Sequence, residues 1–139
     1  MLLALQLLNH LEEEGEPADT TPDQFAFAPK FNVATSTVIT SDPITVTGID
    51  AAADIEVSGA STPLYSINGG AFTADPGTAV DGDQVRARHT SSASDSTPTD
   101  TTVEIGGVVA VFTSTTAGAA NASETGVIAI IVRRNRLLQ

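Results

Sequence analysis

Residues 64–73 read LYSINGGAFT, two short stretches of apolar and small residues on either side of an Asn-Gly pair. Asn-Gly supplies the two positive φ angles that a type I′ turn requires, so the stretch predicts a tight β-hairpin centred on Asn68 and Gly69. Further turn signals occur at short intervals on both sides of it. Such spacing is typical of an all-β sandwich or barrel.

The chain before this hairpin also alternates apolar with polar residues. Phe25 and Phe27 predict a first strand, which residues 37–39 would continue after a break at Pro29, and the proline favours an edge position. Residues 44–48 and 54–58 each predict a strand with one buried face.

The chain after the hairpin gives two more strong signals. An Asp-Gly-Asp turn at 81–83 precedes a strand in which Val85, Ala87 and His89 share one face, while the two arginines between them are predicted to face solvent. A last hairpin turns at the Gly-Gly pair of residues 106 and 107. Its candidate core residues are Val103, Ile105, Phe112 and either Val108 or Val109. We count seven or eight strands, which predicts a two-sheet sandwich over residues 23–116.

Composition limits the function. The chain has 139 residues, no Cys, no Trp and a formal charge of −11. The core must therefore be built mainly from Val, Ile, Leu and Ala, without disulfides or thiolate metal sites. A pI near 4.2 opposes general nucleic-acid binding, because phosphate contacts need a basic surface.

Residues 1–14 predict a short amphipathic helix. Leu3, Leu7, Leu8 and Leu11 share one side of it. The segment is far too short to span a bilayer, which takes about 20 apolar residues. Three readings stay open: the helix packs on its own domain, it docks on another subunit or partner as an anchor or oligomerisation element, or it is a degenerate secretion signal. Residues 15–22 are turn-rich and polar and predict a linker.

The other end of the chain combines an apolar run with positive charge. A loop at 117–125 precedes residues 126–139, which predict a C-terminal strand with a basic tail. Residues 126–132 read GVIAIIV and include Ile128 and Ile130. Arg133, Arg134 and Arg136 follow and make up half of the six Lys and Arg residues. Three interpretations stay open: the charged ends are solvated clusters, one subunit's acidic N-terminal segment pairs with a neighbour's arginines, or the arginines bind nucleic acid.

Catalytic and metal-binding patterns are weak. The two histidines, His10 and His89, are isolated, so a zinc site would need carboxylates from distant segments. Asp75, Asp81 and Asp83 could contribute to a calcium site between loops, but Asp-Gly-Asp is more simply a turn. No nucleophile-elbow motif is present. The sequence therefore predicts a non-enzymatic protein without cofactors.

Three phrases carry a family resemblance. They are YSINGGAFT at 65–73, GDQVRARHTSSAS at 82–94, and VEIGGV at 103–108 with Phe112 and Thr113. Together they resemble the immunoglobulin-like β-sandwich modules of tailed-bacteriophage structural proteins and bacterial surface proteins. The resemblance covers about residues 23–116. It departs from the usual pattern at Asp95, where an aromatic residue often stands.

The resemblance implies a spacer, decoration or adhesive unit, with no catalytic residues to carry over. A single module in a short chain that begins with Met and lacks an export signal looks like a virion component assembled in the host cytoplasm. The expected function is a head decoration or head-fibre subunit, homo-oligomeric and bound to other capsid or tail proteins. The alternatives are a tail accessory, a module of a bacterial surface protein, or an adhesion module that binds host-surface glycans. Residues 91–99, with Tyr65 and Phe72 as aromatic faces, would serve the glycan-binding alternative.

Overall fold

A computed structural model describes residues 15–59 and 61–120 of the chain. These residues form an all-β protein with two sheets and no helix, so the all-β, two-sheet character of the predicted fold is confirmed for this part of the chain. The predicted N-terminal helix of residues 1–14 and the C-terminal strand within 126–139 lie outside the described residues.

Nine strands are present in the described part of the chain, more than the seven or eight predicted. Their bounds are β1 Lys30–Val33, β2 Val38–Thr40, β3 Ile44–Thr45, β4 Ala53–Gly59, β5 Leu64–Ile67, β6 Gly77–Ala79, β7 Gln84–Thr90, β8 Pro98–Ile105 and β9 Val108–Thr116. One sheet, here called sheet A, has the order β1-β9-β8-β4-β6. In the other, sheet B, β7 pairs with β2 and β3 along one side and with β5 on the other.

The predicted first strand is wrong in its bounds. Phe25 and Phe27 alternate into the core as expected, with ring centroids 6.2 Å apart, but no strand includes them. The first strand begins at Lys30, directly after Pro29, because proline has no N–H to give to a ladder. β1 lies at the edge of sheet A, and it runs parallel to β9.

Both predicted glycine turns are confirmed. Asn68 and Gly69 have φ angles of 51° and 73°, and the N–H of Gly70 donates to the carbonyl of Ile67, as in a type I′ turn. Gly106 and Gly107 connect β8 to β9 with φ angles of 54° and 84°. The chain beyond the first turn rejoins β5 only through an isolated bridge between Tyr65 and Thr73.

The core fills the space between the two sheets. Its side chains come from alternate positions of the long strands, as the period-two pattern predicts. The largest fully buried apolar residues are Phe112, Ile55, Ile105, Val46, Val85 and Val103. Because Trp and Cys are absent from the chain, branched aliphatic residues and phenylalanine supply most of this volume.

The segment predicted as a linker contacts the sandwich from Asp19 onward. The carbonyl of Asp19 accepts from the backbone N–H groups of Asp50 and Ala51, and its own N–H donates to the Asp50 carboxylate at 2.6 Å. Pro22 is buried, and Thr20 lies directly against Gly106. Residues 19–22 therefore lie along the rim of sheet A.

Candidate functional site

The residues predicted to anchor the protein all lie outside the described residues. They are Leu3, Leu7, Leu8, Leu11, Ile128, Ile130, Arg133, Arg134 and Arg136. The structure brings together a different set, on the outer face of sheet A.

Three carboxylates share this outer face. Along β4, Ile55 points into the core while Asp54 and Glu56 point outward, and along β8 Glu104 points outward next to the buried Ile105. The ladder between β4 and β8 places Glu56 directly opposite Glu104. Like charges at directly opposed positions destabilise a sheet, so this pairing is a local cost.

The carboxylates line a cleft of about 360 Å³. Its other lining residues are Thr20, Ala52 and the Gly106-Gly107 turn. The cleft forms because the N-terminal segment crosses the rim next to the turn, where a side chain at Gly106 would collide with the Thr20 carbonyl. Glycine is therefore required at this position both for its positive φ and for the close approach.

The cleft carboxylates form no ion pair with a Lys or Arg in the described part of the chain. The ion pair found among these residues joins Lys30 to Asp42 at 3.7 Å and includes none of the cleft carboxylates. The Asp54, Glu56 and Glu104 side chains accept no hydrogen bond from residues 15–59 or 61–120. The cleft can therefore attract a cationic group.

Two valines extend the same face. Val109 and Val111 are 48% and 46% exposed, and their ladder partners on β8 are Glu104 and Thr102. The sequence alone does not decide whether Val108 or Val109 faces the core. The two-residue turn decides it: pairing Ile105 with Val108 directs Val108 toward the core and Val109 outward.

His89 occupies the interior rather than the surface. Its ring lies between the sheets, with Nδ1 2.9 Å from Thr101 Oγ1, Nε2 2.7 Å from Ser114 Oγ, and the ring stacked on Phe112 at 4.9 Å. Burial lowers the pKa of His89, and the charge of Asp100 opposes this in part. Both hydroxyls belong to the opposite sheet, so His89 links β7 of sheet B to β8 and β9 of sheet A.

The loop aspartates considered for calcium stabilise turns instead. Asp81 Oδ1 accepts from the N–H of Gly48 at 3.0 Å. Asp83 accepts from Asn68 Nδ2 at 2.8 Å and from the N–H of Val80 at 2.9 Å. Among the residues that the structure describes, no three His, Cys, Asp or Glu side chains are arranged to hold a metal ion.

Of the two aromatic residues that could bind a glycan, Tyr65 is buried and Phe72 packs against an arginine. The Tyr65 hydroxyl donates to the carbonyl of Asp75 at 2.9 Å. The Arg88 guanidinium lies 4.2 Å from the centroid of the Phe72 ring. Arg86 is likewise half-buried and donates to the Ser41 carbonyl, so the prediction that the two arginines face solvent is only partly correct.

No family model, no curated protein and no solved structure matches the chain. Residues 15–59 and 61–120 contain no helix long and apolar enough to cross a membrane.

Proposed function

We propose that this protein is a non-enzymatic structural subunit of a bacteriophage virion, a head decoration or head-fibre subunit that displays an Ig-like domain. In this proposal the terminal segments, residues 1–14 and 126–139, bind the domain to other virion proteins and to further copies of the chain. The observation that carries the proposal is the strand order of the two sheets, taken with the three sequence phrases.

The strand order supports an Ig-like sandwich. In such domains, strands C, F and G are neighbours in one sheet, and B, E and D are neighbours in the other. Here β4, β8 and β9 lie in the order C-F-G, and the interrupted strand β2/β3 lies beside β7, which lies beside β5, in the order B-E-D. β6 is an addition at the free side of β4.

The use of polar side chains supports a display role. Asp81, Asp83 and Asn68 stabilise turns, and His89 links the two sheets through Thr101 and Ser114. These contacts hold loops and sheets in place, which is what a domain exposed on a particle surface requires. The acidic outer surface favours solubility of such a domain.

Particle association tests the proposal. Tagged chain is produced in cells that assemble the phage particles carrying its gene, the particles are banded in a density gradient, and the chain is quantified by mass spectrometry. We expect a fixed ratio of chain to major capsid protein. Chain that stays entirely in the soluble fractions would refute a virion role.

The predicted anchor is tested in the same gradient. Replacing Leu3 and Leu7 by Ser removes part of the apolar side of the predicted helix, while replacing Gln6 and Asn9 by Ser changes the opposite side and serves as the matched control. We expect the leucine variant to lose particle association and the control to keep it. Equal association of both variants would exclude residues 1–14 as the anchor.

A further inference from the structure

The outer face of sheet A combines apolar and acidic side chains in one patch. We define the Val-Glu face as Val109, Val111, Glu104, Glu56 and Asp54. The two valines are nearly half exposed, whereas the alternate residues of the same strand, Ala110 and Phe112, are buried in the core. The face is apolar on β9 and anionic on β8 and β4. A peptide segment with an apolar run followed by cationic residues would therefore be complementary to it.

The charge arrangement of this face also calls for a cation. Glu56 and Glu104 are direct ladder partners, and Asp54 lies two residues from Glu56 on the same side of β4. Within the described residues these three carboxylates have no ion pair. A positive group placed between them would convert a destabilising pair into a favourable one.

The chain contains one segment with the matching chemistry. Residues 126–132 are apolar and rich in β-branched side chains, and Arg133, Arg134 and Arg136 follow them immediately. The remaining basic residues are Lys30, Arg86 and Arg88. Lys30 pairs with Asp42, and the two arginines pack on Ser41 and Phe72. The C-terminal arginines are therefore the cations that this chain can offer to the face.

The length of the chain allows this segment to reach the face of its own domain. From the end of β9 at Thr116 back to the level of Val109 is about 24 Å, at about 3.4 Å per residue. Residues 121–133 span up to about 44 Å when extended. A chain that returns along β9 and brings Arg133 to Glu104 also brings the apolar residues before it toward Val111.

We propose that residues 126–139 bind across the Val-Glu face of their own domain, with the apolar run over Val109 and Val111 and the arginines against Glu104, Glu56 and Asp54. This tail docking does not depend on the proposed virion function, but it assigns residues 126–139 to their own domain and so leaves residues 1–14 as the anchor in that proposal. Tethering favours the tail of the same chain over that of a second copy, because a short linker gives an effective concentration in the millimolar range.

Cysteine cross-linking of the full chain tests the docking, since the natural sequence has no Cys. One variant carries Thr102→Cys on the face and Asn135→Cys between the arginines. The matched control carries Thr45→Cys on the exposed side of sheet B with the same Asn135→Cys. We expect the face pair to form an intramolecular disulfide at least about tenfold faster than the control, at a rate independent of protein concentration.

Two further conditions test the electrostatic part of the docking. Adding Glu56→Gln and Glu104→Gln to the face pair, or raising the salt to 1 M, should slow disulfide formation several-fold, while Asp95→Asn should not. Equal rates for the face and control pairs would overturn the docking. Intermolecular disulfides whose rate rises with concentration would overturn it too and assign the face to a second copy. Rates unaffected by salt and by both glutamine substitutions would overturn the assigned role of the carboxylates.

Discussion

The buried histidine makes the stability of the sandwich sensitive to mild acid. In an unfolded chain a histidine takes up a proton near pH 6.5, whereas burial between the sheets lowers the pKa of His89. The unfolded state therefore binds more protons than the folded state as the pH falls below about 6.5. The contribution of the neutral His89 ring to the free energy of unfolding is therefore fully present above pH 6.5 and decreases as the pH falls below it.

The size of the effect follows from the linkage relation. One proton of difference between the two states changes the free energy of unfolding by about 1.4 kcal/mol per pH unit. Between pH 6.5 and pH 5.0 the loss therefore has an upper limit of about 2 kcal/mol, reached when the folded state binds no proton at His89 over this range; that limit is a large share of the stability of a small domain. Urea unfolding of the wild-type chain at pH 7.5, 6.5, 5.5 and 5.0 measures it.

Substitution separates His89 from the background of titrating carboxylates. His89→Gln removes the titrating ring, so its unfolding free energy should fall less steeply with decreasing pH than that of the wild type. The matched control, His10→Gln, removes the chain's other histidine and should keep the wild-type slope. Parallel curves for wild type and His89→Gln between pH 6.5 and 5.0 would refute the assignment of the proton to His89.

Three further predictions concern stability and are checked by urea unfolding at pH 7.5. Gly106→Ala should destabilise the domain by at least about 1 kcal/mol more than Gly107→Ala, because both glycines have positive φ but only Gly106 lies against the backbone of Thr20. Equal losses of stability would contradict this close approach. Asn68→Ala should cost about 1–2 kcal/mol more than Asn68→Gly, since glycine keeps the positive φ. The same cost for both would show that the side-chain bonds to Asp83 and Gln84 dominate over the backbone conformation. Phe112→Ala should cost about 3–5 kcal/mol because the side chain is fully buried, and a loss below 1 kcal/mol would mean that the core is not packed as described.

The local parts of the fold could be predicted from the sequence. Two turns could be predicted because Asn-Gly and Gly-Gly pairs readily adopt the positive φ angles that most other residues avoid. These turns are at Asn68-Gly69 and Gly106-Gly107. The alternation in β7 predicts which residues are buried, because every second side chain of a strand faces the same sheet surface. The prediction of a strand at Phe25 and Phe27 is wrong because an alternating pattern indicates which side chains are buried but does not show that the backbone pairs with a neighbouring strand.

The Val-Glu face could be predicted only in part. The Gly-Gly turn fixes the partner of Glu104 as Val109, so the apolar-acidic contact between β8 and β9 is implied by local sequence. The pairing of Glu56 with Glu104 joins residues 48 positions apart, and nothing in the local pattern of either strand specifies that register. The same holds for the position of Thr20 beside the turn, since a polar, turn-rich segment gives no apolar signal for docking.

The parallel pairing of β1 with β9 has a mechanical consequence. Lys30 and Ser114, and then Val33 and Thr116, are ladder partners, so the chain enters β1 at one end of this pair and leaves β9 at the other. A pull on the two ends of the domain acts along the strands and loads their hydrogen bonds together, whereas a hairpin pulled at its open end would release them one at a time. Tension that reaches β1 and β9 is thus resisted by their hydrogen bonds in shear.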